Sequence, residues 1–359
     1  MHETNVSLTD LLCKPNLIFA IPAAHQNTLL RMAKQIGLLG FIAKNVNWEK
    51  RTGATADILE GAAKHVDYHV KMLDWEVHCL STIFSDFPEK VILLKGAAYR
   101  MMKLDFSKGR FASDIDILVS KRMLDMAEER LLKMGWEFMT ADDYEQHYYR
   151  EWMHELPPLR HKERGTIIDL HHNILPETSK YRVDSEMLIS AAIPSEQGFY
   201  TLSPEDTVLH KAVHLFVEGD LKYGLKELID LHMLFNQLGQ KPGFWENLLT
   251  RSKQLGFQRP LFYALYFCRR FFKLKLQPYI WKDISNFAPN APIKKITLSL
   301  MERSFLPDDL DHPRFITKRA QNLTYLRSHL LRMPLFLLIK HLSRQAWHRG
   351  GIKTGTPKS

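Results

Sequence analysis

Short apolar runs and longer helical repeats alternate along this chain. The run 91–94 is continuously apolar and ends just before Gly96, which predicts a buried strand that turns into a helix. Residues 113–119 alternate acids with branched apolar side chains, and residues 166–172 hold a similar pattern. Alternation with a period of two predicts strands that have one apolar face and one polar face.

Helical periodicity covers much of the remaining sequence. Apolar residues spaced by three and four predict helices over 26–41, 56–84, 121–134, 222–238 and 257–272. Gly135 stands in a helix-stop position, while Ser203 and Pro204 predict the N-cap and first residue of another helix. By contrast, the aromatic run between Asp142 and Glu155 alternates well enough to predict one more strand of the sheet.

The order of these elements predicts an α+β fold, with a small mixed β-sheet core flanked by N-terminal and C-terminal helical regions. The predicted units are an N-terminal helical lobe over 1–85, an α/β core over 86–178, a C-terminal helical domain over 179–312 and a basic amphipathic helical tail over 313–359.

Asp114 and Asp116 are the strongest chemical signal, because side chains at i and i+2 of a strand share a face. Two adjacent carboxylates raise each other's pKa unless a cation neutralises them. Magnesium fits this role, since it takes carboxylate oxygens together with substrate phosphates. The alternative is a strand end whose acids face solvent or cap the next helix.

The turn at Gly96 suits phosphate binding. Glycine permits close backbone approach, a helix start offers N–H groups to an anion, and Lys95 adds a positive charge. An ordinary strand-to-helix turn is the alternative interpretation. The sequence has neither a P-loop nor a dinucleotide-binding glycine motif, so those two classes of nucleotide site are not indicated.

Asp169 is a third acid in a strand-like run, where it shares a face with His171. The segment 154–165 predicts a hairpin arm and turn that bring Asp169 onto a strand beside Asp114 and Asp116. Three carboxylates on adjacent strands suit two-metal phosphoryl chemistry. A lone acid on a solvent-facing strand is the alternative.

Taken in order, LLKGAA (93–98), SDIDILV (113–119), IDLHHNI (168–174) and LSPEDTVLHKAVHLF (202–216) resemble nucleotidyltransferases of the DNA-polymerase-β-like superfamily, over roughly residues 85–240. The resemblance implies transfer of an NMP from an NTP, with ATP expected, to a hydroxyl acceptor, with Mg²⁺ or Mn²⁺ as cofactor and release of pyrophosphate. It implies catalytic and metal-binding roles for Asp114, Asp116 and Asp169, and nucleotide contacts for Lys95, Gly96, Ala97, Arg110 and Ser113.

Ala97 departs from the superfamily pattern, which usually has Gly or Ser after the turn glycine. The phosphate contact of a serine hydroxyl or bare backbone is therefore lost, and Lys95, Arg110 and Ser113 are expected to compensate. All three acids are nevertheless present, which favours an enzyme over a degenerate relative.

His210 and His214 are spaced by four residues from each other and from Asp206, so all three share a predicted helix face. The pair lacks the general-base Glu of a metalloprotease motif, and a substrate-facing or helix-packing role is favoured over metal binding. His171 is a further candidate for facing substrate. Tyr149 or Trp152 would either stack on a nucleobase or, as the favoured interpretation, pack within the sheet.

Positive charge is concentrated in the tail 313–359, which has ten basic and no acidic residues, whereas the rest of the chain has 39 basic and 40 acidic residues. This tail predicts a helix packed on the body, a helix lying on an anionic membrane surface or an RNA-binding arm. Cys13, Cys79 and Cys268 have no metal-binding spacing, which predicts reduced thiols.

The predicted function is therefore metal-dependent nucleotidyl transfer in the cytoplasm, and the tail is a candidate for contact with a membrane surface or a nucleic acid. The acceptor is an open class that includes sugars, small metabolites, protein side chains and RNA ends. The rival hypothesis is a non-catalytic protein of the same fold that docks on RNA, a membrane surface or a protein partner through its tail.

Overall fold

The computed structural model describes residues 6–48, 50–140, 142–222, 224–307 and 315–339. The strands are β1 Ile92–Leu93, β2 Asp114–Leu118, β3 Trp136–Phe138, β4 Leu159–His161, β5 Ile167–His171, β6 Ile193–Pro194 and β7 Tyr200–Thr201. The fold is α+β, as the sequence predicts, because these strands form one mixed sheet with helices packed around it.

The helices are α1 Leu8–Cys13, α2 Ala23–Gln35, α3 Leu39–Asn45, α4 Ala54–Ile83, α5 Lys95–Met101, α6 Leu124–Lys133, α7 Asp143–Trp152, α8 Ser185–Ala191, α9 Pro204–Val213, α10 Gly224–Leu238, α11 Phe244–Leu255, α12 Gln258–Phe272, α13 Pro278–Ser285, α14 Ala291–Phe305 and α15 Phe315–Arg332. Short 3₁₀ segments lie at Pro15–Ala20, Asp105–Gly109, Lys121–Met123 and Glu196–Gly198, and a π-helix covers His214–Glu218.

The strand order in the seven-stranded sheet is β3-β4-β5-β2-β1-β7-β6. Strand β2 lies near the centre, where it pairs with β1 in an antiparallel and with β5 in a parallel arrangement. Ile115 and Ile117 of β2 are fully buried in the core beneath the sheet. The hairpin of β4 and β5 forms as predicted, and it is this hairpin that lays β5 against β2.

Helices from both ends of the chain share one large hydrophobic core. Leu11 and Leu59, which precede the sheet, belong to the same buried cluster as Leu228 and Phe262, which follow it. The boundaries at 85/86, 178/179 and 312/313 remain interpretations of the sequence.

The strand predicted between Asp142 and Glu155 is wrong, because Asp143–Trp152 is the helix α7. The carboxylate of Asp142 accepts hydrogen bonds from the amides of Tyr144 and Glu145 at 2.9 and 3.0 Å. Such an N-cap satisfies amides that otherwise lack a partner at a helix start. Trp152 therefore packs as part of a helix and not within the sheet.

Other predicted helices are found with adjusted ends. The prediction over 26–41 is split into α2 and α3 at Gly37, whose φ of +71° is incompatible with a continuing helix. The prediction over 56–84 corresponds to α4, and Ser203 caps α9 by accepting a hydrogen bond from the Asp206 amide at 3.1 Å.

In the C-terminal region, α15 ends before Pro334 and another helical turn covers 335–339. The rest of the predicted basic tail, at 313–314 and 340–359, lies outside the described residues. Among the helices that the structure describes, none is long and apolar enough to cross a membrane.

Candidate active site

The two strands β2 and β5 bring the predicted acids together. In their parallel pairing the Cα atoms of Asp116 and Asp169 are direct partners, and Asp114 lies two residues before Asp116 on the same strand. Because residues two apart share a strand face, the three carboxylates belong to one side of the sheet. The arrangement predicted from the sequence therefore forms in the structure.

Asp116 is the most deeply buried of the three, with 2% of its surface exposed. Its Oδ1 accepts a hydrogen bond from Lys95 Nζ at 2.6 Å and lies 3.1 Å from His171 Nε2. Burial acts to raise the pKa of Asp116, but Lys95 and His171 outweigh it and hold this pKa well below its usual range. Asp116 is thus a fixed anion.

Asp169 has the opposite environment. Burial together with the neighbouring charges of Asp116 and Glu155 raises the pKa of Asp169 to about 7. Its Oδ1 is buried and has no hydrogen-bond partner among the residues that the structure describes. Burial and Asp116 also raise the pKa of Asp114. The cluster therefore holds more negative charge than Lys95 alone balances.

These residues fit a divalent cation. A buried carboxylate oxygen without a partner is costly, and oxygen donors are the ligands that magnesium prefers. The unpartnered Oδ1 of Asp169, beside a second carboxylate with a raised pKa, is the feature that such an ion would stabilise. Asp114, Asp116 and Asp169 are the residues that would hold it.

The turn into α5 is pressed against the segment that leads to β2. Lys95 has a φ of +45°, a strained value for a residue with a side chain, and the Leu94 amide donates to the Asp116 carbonyl at 2.9 Å. A Cβ on Gly96 would lie 2.7 Å from the Ala112 Cβ. Glycine is therefore required here for close packing, and Ala97 behind it is buried.

Replacing Gly96 by alanine should push this turn away from Ala112. We expect a loss of about 1–3 kcal/mol in the free energy of unfolding, typical of overpacking, together with reduced activity from the displaced Lys95. Urea unfolding and a transfer assay measure the two effects. Gly61→Ala in α4 is the matched control, because a Cβ there meets no described atom within 4 Å and should be tolerated. Equal stability of Gly96→Ala and wild type would contradict the packing described here.

Arg110 lies in a buried ion-pair network. Its Nε donates to Asp230 at 2.9 Å, and its Nη2 lies 3.4 Å from Glu227. Lys211 binds the same two acids from α9, at 3.1 Å in the case of Asp230. A phosphate-binding role for Arg110 remains a prediction that would require these contacts to break, whereas Ser113 Oγ donates to Asp114 at 3.2 Å.

The three predicted histidines surround this centre. His171 is 2% exposed, and His210 and His214 follow on α9 and at the start of the π-helix, with ring centroids 6.4 Å apart. Burial, aided by the positive charge of Lys95, lowers the pKa of His210 and brings that of His214 to about 3. Asp206 is separate from this group, because it pairs with Arg251 at 2.7 Å.

Three further polar residues lie beside the acids and were missed by sequence reasoning: His154, Glu155 and Glu218. Tyr149, which the sequence suggested only as a stacking or packing residue, also lies near them. Glu155 pairs with His171 in an isolated antiparallel bridge. Burial, followed by the charges of Glu155 and Asp169, raises the pKa of the Tyr149 hydroxyl to about 12. The only sequence signal for His154 and Glu155 is their place in the predicted hairpin arm, and Glu218 has none.

A comparison with curated proteins found no significant match. Among solved structures, MenT4, a nucleotidyltransferase toxin from Mycobacterium tuberculosis H37Rv, shares 15% sequence identity with this chain over 74% of its length and 94% of the toxin, with a TM-score of 0.31. A similarity of this size adds nothing to the assignment. A family model described as "uncharacterised nucleotidyltransferase" matches residues 22–273, which is more than half of the chain. The protein therefore belongs to this family of uncharacterised nucleotidyltransferases.

Proposed function

We propose that this protein is a metal-dependent enzyme that transfers an NMP from an NTP, with ATP expected, to a hydroxyl acceptor. The acceptor oxygen forms a bond to the α-phosphorus, the bond from that phosphorus to the bridging oxygen of the β-phosphate breaks, and pyrophosphate leaves. The hydroxyl proton is taken up by a base on the protein.

One observation carries the proposal: Asp116 and Asp169 are direct partners on adjacent parallel strands, with Asp114 on the same side. Together with membership of the family, this triad favours catalysis over a binding module that keeps only the fold. Mg²⁺ or Mn²⁺ bound by these acids would neutralise the phosphates and lower the pKa of the acceptor hydroxyl.

The residues of the chain have distinct roles in this proposal. Asp116 stays ionised, and its contacts with Lys95 and His171 fix the orientation of its carboxylate. Asp169, which lies directly beside Asp116 on the neighbouring strand, would complete the metal site and assist removal of the proton from the acceptor hydroxyl. The triphosphate would bind over the turn at Gly96, where α5 starts and Lys95 adds a positive charge.

The test is to incubate the full chain with Mg²⁺ and each NTP in a cell extract, once with label in the α-phosphate and once in the γ-phosphate. Compared with the same extract without the protein, the additional α-label should enter one acceptor fraction, while the additional γ-label should appear only in pyrophosphate or in the phosphate formed from it. EDTA should stop both the labelling of the acceptor and the release of labelled pyrophosphate. Transfer of the γ-label to an acceptor would instead indicate a kinase, and failure of every α-labelled NTP would favour the non-catalytic alternative.

A further inference from the structure

A second group of potential ligands lies beside the three aspartates. Among the described residues, His154, Glu155 and His171 each offer a ligand atom, and these atoms all lie within 4.8 Å of one another. His171 comes from β5, and His154 and Glu155 come from the segment that runs back along it. Glu218, at the end of the π-helix, adds a carboxylate 3.6 Å from His154 Nε2.

The backbone holds this group in place. The Leu156 amide donates to the Leu170 carbonyl at 2.9 Å, and the His172 amide donates to the His154 carbonyl at 2.9 Å. These two hydrogen bonds fix the segment on either side of Glu155 against the end of β5. Ligands supplied by paired backbone are held more precisely than ligands on a free loop.

The distances suit one ion. Glu155 Oε2 lies 3.2 Å from His171 Nδ1 and 3.9 Å from His154 Nε2. Metal–ligand bonds of about 2.0–2.1 Å in a tetrahedral site place neighbouring donors about 3.3 Å apart. Small rotations of the Glu155 and His154 side chains would therefore bring these two donors and His171 Nδ1 to bonding distance of a single ion.

One nitrogen that faces this group has no hydrogen-bond partner within the part of the chain that the structure describes. Nδ1 of His171, which lies 3.2 Å from Glu155 Oε2, is buried and has no hydrogen-bond partner among the described residues. On His154 the nitrogen that lies near Glu155 and Glu218 is Nε2. His171 is 2% exposed and His154 is 6% exposed, so water reaches neither ring freely. Nε2 of His171 is within hydrogen-bond distance of Asp116 Oδ1, and Nδ1 of the same ring is therefore the atom directed at the cluster.

We infer that His154, Glu155 and His171, with Glu218 as a fourth donor, form a binding site for a divalent transition-metal ion such as Zn²⁺. Two imidazoles and a carboxylate favour such an ion over Mg²⁺, which takes oxygen ligands. The site is distinct from the aspartate triad, and the inference does not rest on nucleotidyl transfer.

The contact between His171 and Asp116 gives this ion a role. Metal-bound histidines typically donate their other ring N–H to a carboxylate, which fixes the tautomer and orientation of the ring. Here that carboxylate is Asp116. An ion at the second site would therefore orient Asp116 through His171, and His171 is a positioning residue.

Equilibrium dialysis of the full, tag-free chain against Zn²⁺ in excess Mg²⁺ tests the inference. We expect one tightly bound Zn²⁺ per wild-type chain, and the same in Asp169→Asn. Affinity should fall at least about 10-fold in His154→Gln and in Glu155→Gln. His78→Gln is the matched control, because His78 is exposed on α4. Unchanged binding in both site variants would overturn the inference, as would loss of binding in Asp169→Asn.

A measurement on the wild type alone covers the case in which a site variant fails to fold. X-ray absorption at the zinc edge should detect scattering from two imidazole rings around the bound ion. A shell made only of oxygen would overturn the inference. Both measurements report metal binding and not turnover, so they remain informative if the protein proves not to transfer nucleotides.

Discussion

Replacing Asp116 by asparagine should lower the rate of nucleotidyl transfer by about 10³-fold or more. The variant loses the fixed anion at the centre of the site, and preorganised charges of this kind supply much of the rate in such reactions. It should also lower stability by up to about 3 kcal/mol, because Lys95 Nζ loses a buried partner 2.6 Å away. Initial rates with the α-labelled NTP and urea unfolding measure the two effects.

The double variant Lys95→Met/Asp116→Asn separates chemistry from folding. Removing both members of the ion pair leaves neither of them buried without its partner, so stability should recover toward wild type while transfer stays absent. If the double variant regains activity along with stability, the loss in Asp116→Asn is one of folding. Retention of more than a tenth of wild-type activity by Asp116→Asn would refute the proposed role.

Replacing Asp169 by asparagine should abolish transfer and yet stabilise the metal-free chain above pH 7. The pKa of Asp169 is raised to about 7 in the folded chain from an ordinary value of 3.8, first by burial and then by Asp116 and Glu155. Ionising Asp169 therefore costs the folded state free energy. At about 1.36 kcal/mol per pKa unit, the full effect has an upper limit of about 4 kcal/mol.

Because the pKa of Asp169 is higher in the folded chain than in the unfolded chain, the stability gained by Asp169→Asn depends on pH. Between pH 3.8 and 7 the folded chain keeps a proton that the unfolded chain has lost, so wild-type stability falls as pH rises through this window. The advantage of Asp169→Asn should thus be small at pH 4 and full at pH 8, as measured by urea unfolding in EDTA. Saturating Mg²⁺ should stabilise the wild type more than the variant.

Asp57→Asn serves as the control for this comparison, because Asp57 is an exposed residue in the first turn of α4. Its effect on stability should be small, because an exposed side chain has few contacts to lose. If Asp169→Asn is instead less stable than wild type at pH 8 in EDTA, Asp169 has a stabilising partner and its carboxylate is not left unmatched.

Local chemistry explains which parts of the fold were predictable. The alternation around Asp114 and Asp116 can place both acids on one strand face only, and the turn at Gly165 returns the chain as a hairpin. Ser203 and Gly135 act within a few residues of their own position. Each of these features depends on neighbours in the sequence, so sequence reasoning was sufficient.

The aromatic run at 142–155 shows where local reasoning fails. Tyr144, Tyr148 and Trp152 are spaced by four residues, and positions four apart share a face both in a helix and in a strand. The pattern therefore fits both structures. The cap supplied by Asp142 and the ring contacts along α7, such as the 5.7 Å between the centroids of Tyr148 and Trp152, accompany the helix.

The sequence by itself determined the three acids, the glycine turn and the α+β class, because each follows from short-range periodicity or an ordered motif. Only the tertiary structure decided what surrounds them. Arg110 meets Asp230 across 120 residues, and Glu155 meets His171 and lies near the later Glu218 by way of His154. No local pattern encodes such contacts, since they arise when the packing of α9, α10 and the hairpin buries charges that must then find partners.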